Sequence, residues 1–364
     1  MIIPIKNNNL TETFNIFFKE LLEKKVVDAL ILPQSILNDK TVTYTLVIKA
    51  DSIKSAQPFL PVLMNNGATI VSYLTKNGTG QKVGAVLRAC EIRALIELAK
   101  FKQVNLDGLF LIGVDCMGTM EPEDFANKIE GEKKYSMDQL HKDILSENEV
   151  SIRTACLVCP HPVPENVDMI LGFIGMDHNK ELYIEASDDV AELMSWDKGN
   201  QAPEKRIKSI KKIKEEKEIK KEKFLQDTRK RFKSISDLLN EFARCKRCYN
   251  CRVECPICYC KECVFMTEVF NHDSNQYYKW AGKKGAIKLP YDTLLYHLTR
   301  LNHMATSCIG CGQCSSACPN DLPVFELFQL IGKDVQEIFD YIAGNNLEDD
   351  PPLVTFKEEE LEPL

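Results

Sequence analysis

Two cysteine runs constrain this chain more than anything else in it. The first reads Cys245-Lys-Arg-Cys248-Tyr-Asn-Cys251-Arg-Val-Glu-Cys255-Pro256, and its spacing returns in Cys308-Ile-Gly-Cys311-Gly-Gln-Cys314-Ser-Ser-Ala-Cys318-Pro319. Three thiolates at steps of three fold around one face of an iron–sulfur cube, and a fourth, four residues on and followed by proline, reaches the neighbouring cube. Two such runs predict a two-cluster ferredoxin module. One [4Fe-4S] centre would take Cys245, Cys248, Cys251 and Cys318, and the other Cys308, Cys311, Cys314 and Cys255. A pair of zinc sites is the rival reading, but paired C-x2-C knuckles satisfy zinc and give no reason for the third cysteine or the trailing Cys-Pro.

Both runs lie in the last third of a 364-residue chain, which is long enough for two domains with cores of their own. Fifteen cysteines could mean disulfides. However, the amino-terminal stretch lacks the charged start, apolar core and small-residue cleavage site of a secretion signal, and no stretch approaches membrane-spanning length. The expectation is a cytoplasmic protein with reduced, metal-bound thiols. A net charge of -7 argues against nucleic acid as a partner, since phosphate binding needs a basic surface.

The first half reads as α/β. Residues 9–22 form an amphipathic pattern with Asn9 or Thr11 as cap, Val26 to Leu32 reads as a buried strand stopped by Pro33, and Thr41 to Ile48 as a second strand. Val83 to Cys90 is an apolar strand ending on a cysteine, followed by a helix from Glu91 to Phe101. Leu109 to Cys116 is another apolar strand ending on a cysteine. Strand, helix, strand with so short a connection is a parallel crossover, so both cysteines fall at carboxyl ends of neighbouring strands, where open α/β sheets hold ligands. A loop ahead of the strand Met169 to Ile174 adds Cys156 and Cys159. These four cysteines are enough for a third [4Fe-4S] cluster; taken singly, Cys90 and Cys116 also read as buried core thiols.

Leu87-Arg-Ala-Cys90-Glu-Ile-Arg-Ala, Ile112-Gly-Val-Asp-Cys116-Met-Gly-Thr and Arg153-Thr-Ala-Cys156-Leu-Val-Cys159 resemble the beta-subunit family of coenzyme F420 hydrogenases and dehydrogenases, especially its formate dehydrogenase branch. The likeness covers roughly residues 55 to 185, and the ferredoxin runs suit that branch too. It implies that Cys90, Cys116, Cys156 and Cys159 hold the family's [4Fe-4S] cluster. Ala89 stands where many relatives have proline, a change in turn stiffness. The family commonly binds FAD in this domain. The glycine-rich candidate, Asn77 to Gly84, precedes a strand rather than opening a helix, so it reads as a turn.

Glu204 to Lys233 is helical by propensity and basic on balance, with a thin seam of Ile207, Ile210, Ile213 and Phe224. It reads as a solvated linker helix, or alternatively as a dock for an acidic partner. Cys258, Cys260 and Cys263 are surplus to the twelve assigned cysteines. With His272 or His303 they could bind zinc or a further cluster, or they could remain packed thiols. A helix from Leu322 to Ala343, closed by Gly344, and an acidic, proline-bearing tail complete the chain.

The expected architecture is an α/β amino-terminal domain with parallel strands (1–200), a charged helical linker (201–233), a mostly helical two-cluster ferredoxin-like module (234–345) and an acidic tail (346–364). The resemblance implies an electron-transfer subunit of an anaerobic redox complex. Its partners would be a molybdenum or tungsten formate dehydrogenase, or a hydrogenase, on one side and a heterodisulfide-reductase-type or other flavin subunit on the other. The rival classes are a flavoenzyme exchanging hydride with coenzyme F420 and a zinc-stabilised interaction module.

Overall fold

The computed structural model describes residues 1–36, 41–130, 152–177, 179–196, 201–356 and 358. They fall into two compact units. The first takes Met1–Phe224 with the returning segments Ile309–Gly312 and Gly344–Asp349, and the second takes Leu225–Cys308, Gln313–Ala343 and Asp350–Leu364.

Seven strands build the sheet of the first unit: β1 (Ile2–Pro4), β2 (Ala29–Ile36), β3 (Thr41–Val47), β4 (Val83–Arg88), β5 (Leu109–Val114), β6 (Met169–Gly172) and β7 (Glu181–Ala186). Their order is β1-β7-β6-β5-β4-β2-β3. The inner four run parallel, while β3, β7 and β1 are antiparallel additions at the edges. Every residue of β4 is buried, as a strand covered on both faces requires. One cover is α1 (Leu10–Glu23), whose Phe14, Phe17, Phe18 and Leu21 join the core cluster containing Val86, Ile112 and Leu171. Asn9 caps α1 by accepting from the Glu12 amide at 2.9 Å. The helices α2 (Gly67–Thr75), α3 (Ala89–Lys100) and α4 (Pro122–Glu130) follow in chain order.

Several local expectations shift. Pro33 does not stop its strand, because β2 pairs with β4 only over Ala29–Ile31. Beyond that point the Pro33 carbonyl faces away from β3 and accepts from the Gln57 amide, so the missing N–H removes no bond from the hairpin ladder. The cysteines also do not end their strands. β4 stops at Arg88 and Cys90 sits in the first turn of α3, while Cys116 lies two residues past the end of β5. The last long helix is Val324–Ile338, shorter than the periodicity suggests. Gly344 is therefore no C-cap. With φ +71 it passes so close to α3 that an added Cβ would stand 2.4 Å from the Arg93 carbonyl oxygen, and its amide donates to buried Glu97 at 2.7 Å.

A helix over Glu204–Arg231 carries the charged segment. Its lysines and glutamates are largely exposed, but Ile210 and Ile213 pack on the sheet core and Arg206 is buried. Arg206 forms a two-pronged pair with Asp115, Nη2 to Oδ1 at 2.9 Å, and Asp115 Oδ2 also accepts from the Phe173 and Ile174 amides.

The second unit is helical, with no strand among the described residues. Its main elements are Ile235–Glu241, Ser274–Lys284, Thr293–Met304 and Val324–Ile338, with single turns at Asn250–Val253 and Gln313–Ser316. Ser234 caps the first by accepting from the Asp237 amide. Tyr296 is fully buried, with the rings of Tyr249 and Phe265 edge-on at 5.2 and 5.3 Å.

Candidate metal centres

In the first unit β4 and β5 are neighbours in register, Arg88 opposite Val114, so the chain leaves both carboxyl ends together. Cys90 follows from one end and Cys116 from the other. Two backbone bonds bring in the remaining thiols: the Cys116 amide donates to Pro162 O at 2.8 Å, and the Cys156 amide to Arg153 O at 2.8 Å, closing the short helix Thr154–Leu157. As a result Cys90, Cys116, Cys156 and Cys159 line one cavity, together with Arg88, Arg153, His161, Lys217 and a fifth cysteine, Cys311.

Burial pushes the Cys90 thiol well up, with Glu91 and the neighbouring thiols adding to it. Burial likewise pushes Cys116 up to about 11 and raises Cys159. Cys156 moves the other way. Burial alone would raise it, but the Arg153 guanidinium and the Thr119 hydroxyl outweigh that, with Thr119 Oγ1 at 3.4 Å and Arg153 Nη2 at 3.7 Å from its sulfur. Buried thiols with raised pKa values ionise when a cation takes them, so this donor set fits a metal cluster, and the two guanidiniums supply offsetting charge. Arg88 is itself held by Glu91, whose carboxylate accepts from Tyr44 Oη at 2.6 Å, the Gly67 amide at 2.7 Å and the Arg88 amide at 2.8 Å. Lys217, on the charged helix, donates to Cys156 O at 2.8 Å.

In the second unit thiols of the two cysteine runs influence one another crosswise. Cys251 and Cys318 act on the Cys245 thiol, Cys308 acts on Cys255, and Arg300 is influenced by Cys251, Cys255 and Cys314 together. Buried Arg300 donates to Cys251 Sγ at 3.2 Å and to Cys251 O at 2.9 Å. Tyr296 Oη lies 3.4 Å from the same sulfur, His297 Nε2 3.4 Å from Cys245 Sγ, and Gln329 Nε2 donates to Cys308 Sγ at 3.6 Å. Arg300 Nε, His297 Nδ1 and Ser307 Oγ are buried polar atoms without a protein partner, beside the thiols. The Arg300 and Ser307 groups are donors, and a sulfide-bearing cluster would supply acceptors for them. Burial, with Arg300 and Lys288, pushes His297 down to about 3, so it is neutral at neutral pH. Cys248 is exposed.

Cys258 is pushed up to about 12 by burial and by Cys255, Cys260 is exposed, and His303 is exposed. His272 Nε2 lies 2.7 Å from Tyr291 Oη within an aromatic group. Among the described residues no three His, Cys, Asp or Glu side chains converge as they would on a single ion.

The sequence singles out the candidate thiols but not the groups the structure places around them: Arg88, Glu91, Thr119, Arg153, Lys217, Tyr296 and Arg300. One signal was available. Arg88 ends an otherwise apolar buried strand, and a charge in such a run needs a nearby partner.

Residues 80–202 match the family described as the carboxyl-terminal part of the coenzyme F420 hydrogenase/dehydrogenase beta subunit, and residues 303–323 match a 4Fe-4S binding domain. The chain is 28% identical to the F420-dependent formate dehydrogenase subunit beta of Methanocaldococcus jannaschii, covering 92% of each. It is 26% identical to the F420-dependent formate dehydrogenase 1 subunit beta of Methanococcus maripaludis, covering 92% of this chain and 91% of that one. A chain of the F420-reducing [NiFe] hydrogenase complex from Methanosarcina barkeri superposes with a TM-score of 0.45 at 14% identity, over 61% of this chain and 86% of that one.

Proposed function

Because this chain carries the beta-subunit domain of coenzyme F420 hydrogenases and dehydrogenases and falls with their formate dehydrogenase branch, we propose that it is the iron–sulfur electron-transfer subunit of a redox enzyme. Cys90, Cys116, Cys156 and Cys159 would hold one [4Fe-4S] centre. Cys245, Cys248, Cys251 and Cys318 would hold a second, and Cys308, Cys311, Cys314 and Cys255 a third. The catalytic subunit it serves is a formate dehydrogenase or hydrogenase, and the other partner a flavin or heterodisulfide-reductase-type subunit. The observation that carries this reading is the convergence on one cavity of four thiols from three separate segments, flanked by two buried guanidiniums.

Bound clusters supply one-electron transfer, and the chain's own residues set its energetics. Arg153 and Thr119 act on Cys156, and Arg300 and Tyr296 act on Cys251. Both pairs lend positive charge or donor hydrogens to a ligand sulfur, which favours the more negative, reduced state. Arg300→Met is therefore expected to lower one centre's potential by roughly 60 mV, a tenfold change in a one-electron equilibrium. A redox titration followed by electron paramagnetic resonance reads the shift, and an unchanged potential would count against the assignment of Cys251.

Anaerobic quantitation of iron, acid-labile sulfide, zinc and flavin on one sample tests the whole reading. The expected iron is about twelve per chain, from three cubes of four. A colourless preparation with stoichiometric zinc would overturn it in favour of an interaction module.

The names of both relatives, each F420-dependent, favour a second reading in which the chain exchanges hydride with coenzyme F420, and the flavin such an exchange would use is what the family resemblance implies. The turn at Asn77–Gly84 is a poor candidate for the flavin phosphates, since it leads into β4 rather than opening a helix. Released FAD in the same quantitation would support this reading.

A further inference from the structure

We propose that Arg88 and Glu91 are a pair of opposed charges that sets the reduction potential of the centre at Cys90, Cys116, Cys156 and Cys159, Arg88 raising it and Glu91 lowering it. The proposal rests on the reading of those four thiols as cluster ligands.

A carboxylate buried beside several thiolates is costly unless something holds it. Glu91 is fully buried, and it follows Cys90 directly in α3. Its Oε1 accepts from Tyr44 Oη at 2.6 Å and from the Gly67 amide at 2.7 Å, and its Oε2 from the Arg88 amide at 2.8 Å. Those donors come from β3, the start of α2 and the end of β4, and three donors of this kind suit an anion. The fit is close. A Cβ added at Gly67 would stand 2.9 Å from Glu91 Oε1.

Arg88, 4% exposed, supplies the opposite charge. Its Nη1 lies 3.7 Å from Glu91 Oε2, and its Nη2 donates to the Leu60 carbonyl at 2.6 Å. The two charges are not placed alike. Arg88 lines the cavity with the four cysteines, whereas Glu91 stands outside that lining and turns to Tyr44 and Gly67. One-electron reduction adds a negative charge to the centre, which a nearby cation favours and a nearby anion opposes, and both effects grow where water is excluded. Because Arg88 faces the cavity and Glu91 does not, Arg88 has the larger effect. Glu91 in turn keeps the guanidinium from being a buried charge without a partner.

The full chain is prepared anaerobically and its potentials are titrated, the first centre's signal being the one in the reduced electron paramagnetic resonance spectrum that Cys90→Ala lacks. Arg88→Met is expected to lower that potential by roughly 60 mV, a tenfold fall in the reduction equilibrium. Glu91→Gln is expected to raise it by a smaller amount. Tyr44→Phe removes a hydrogen bond and no charge, so it should leave the potential unchanged while urea unfolding detects a loss of stability. A shift of the wrong sign, or none, in either charge-removing variant overturns the proposal. So does an equal shift in Tyr44→Phe, which would mean that the network only holds the backbone. Should one charge-removing variant not load iron, the sign in the other decides. Should neither load, the double variant Arg88→Met, Glu91→Gln removes both charges together and is expected to sit below the parent, a potential at or above the parent's being the contrary result. A parent protein with only about eight irons, two cubes of four, would instead overturn the first centre itself.

Discussion

Cys90→Ala is expected to yield a chain with about eight irons in place of about twelve, and to interrupt electron flow through the α/β unit entirely. Cys90 is fixed in the first turn of α3, and α3 is fixed by Glu91, whose carboxylate binds the Tyr44 hydroxyl and the Gly67 and Arg88 amides. The backbone of α3 is therefore held in place whether or not Cys90 carries a thiol. Iron and sulfide analysis gives the stoichiometry, and the spectrum of the reduced protein should retain the signals of the ferredoxin pair. Cys258→Ala serves as the contrast. That cysteine stands outside all three four-cysteine sets, so its loss should leave iron content unchanged. Equal iron losses in the two variants would mean that the ligand assignment is wrong.

Arg206→Met is expected to destabilise the α/β unit by about 3–5 kcal/mol, the range for breaking a buried ion pair by removing one partner. Arg206 and Asp115 are buried at 2% and 1% exposure, and methionine would leave the carboxylate with only the Phe173 and Ile174 amides. Asp115 precedes Cys116, so loosening it should also weaken cluster retention. Urea unfolding followed by tryptophan fluorescence reports the loss, Trp196 being stacked on Phe17 in this unit. The double variant Arg206→Met, Asp115→Asn should recover much of the stability, because it removes both charges together. Failure of that recovery would show that Arg206 acts through packing rather than through its charge.

Much of the architecture could be read directly. The parallel core announces itself in Val83 to Leu87 and Leu109 to Val114, since strands covered on both faces must be apolar throughout. The twelve candidate cysteines stand out because cluster ligation would demand fixed local spacing within each run, or strand ends brought side by side. Element ends were less legible. Whether β4 stops at Arg88 or Cys90 depends on the capping of α3 by Glu91, and whether Pro33 breaks β2 depends on which neighbour it faces. The charged helix looked free because a seam of Ile207, Ile210 and Ile213 is narrow, and nothing local reveals that Arg206 finds Asp115 ninety-one residues away.

Spacing and periodicity are properties of neighbours along the chain, so the amino-acid order alone singled out the candidate thiols and the segments that form the sheet. Electrostatic pairing, burial and the destination of each loop depend on residues distant in sequence. Only the tertiary structure could decide that Arg153 and Arg300 reach the sulfurs of Cys156 and Cys251, that Gly344 lies against α3, and that Cys311 lines the cavity of Cys90 while Cys248 is exposed.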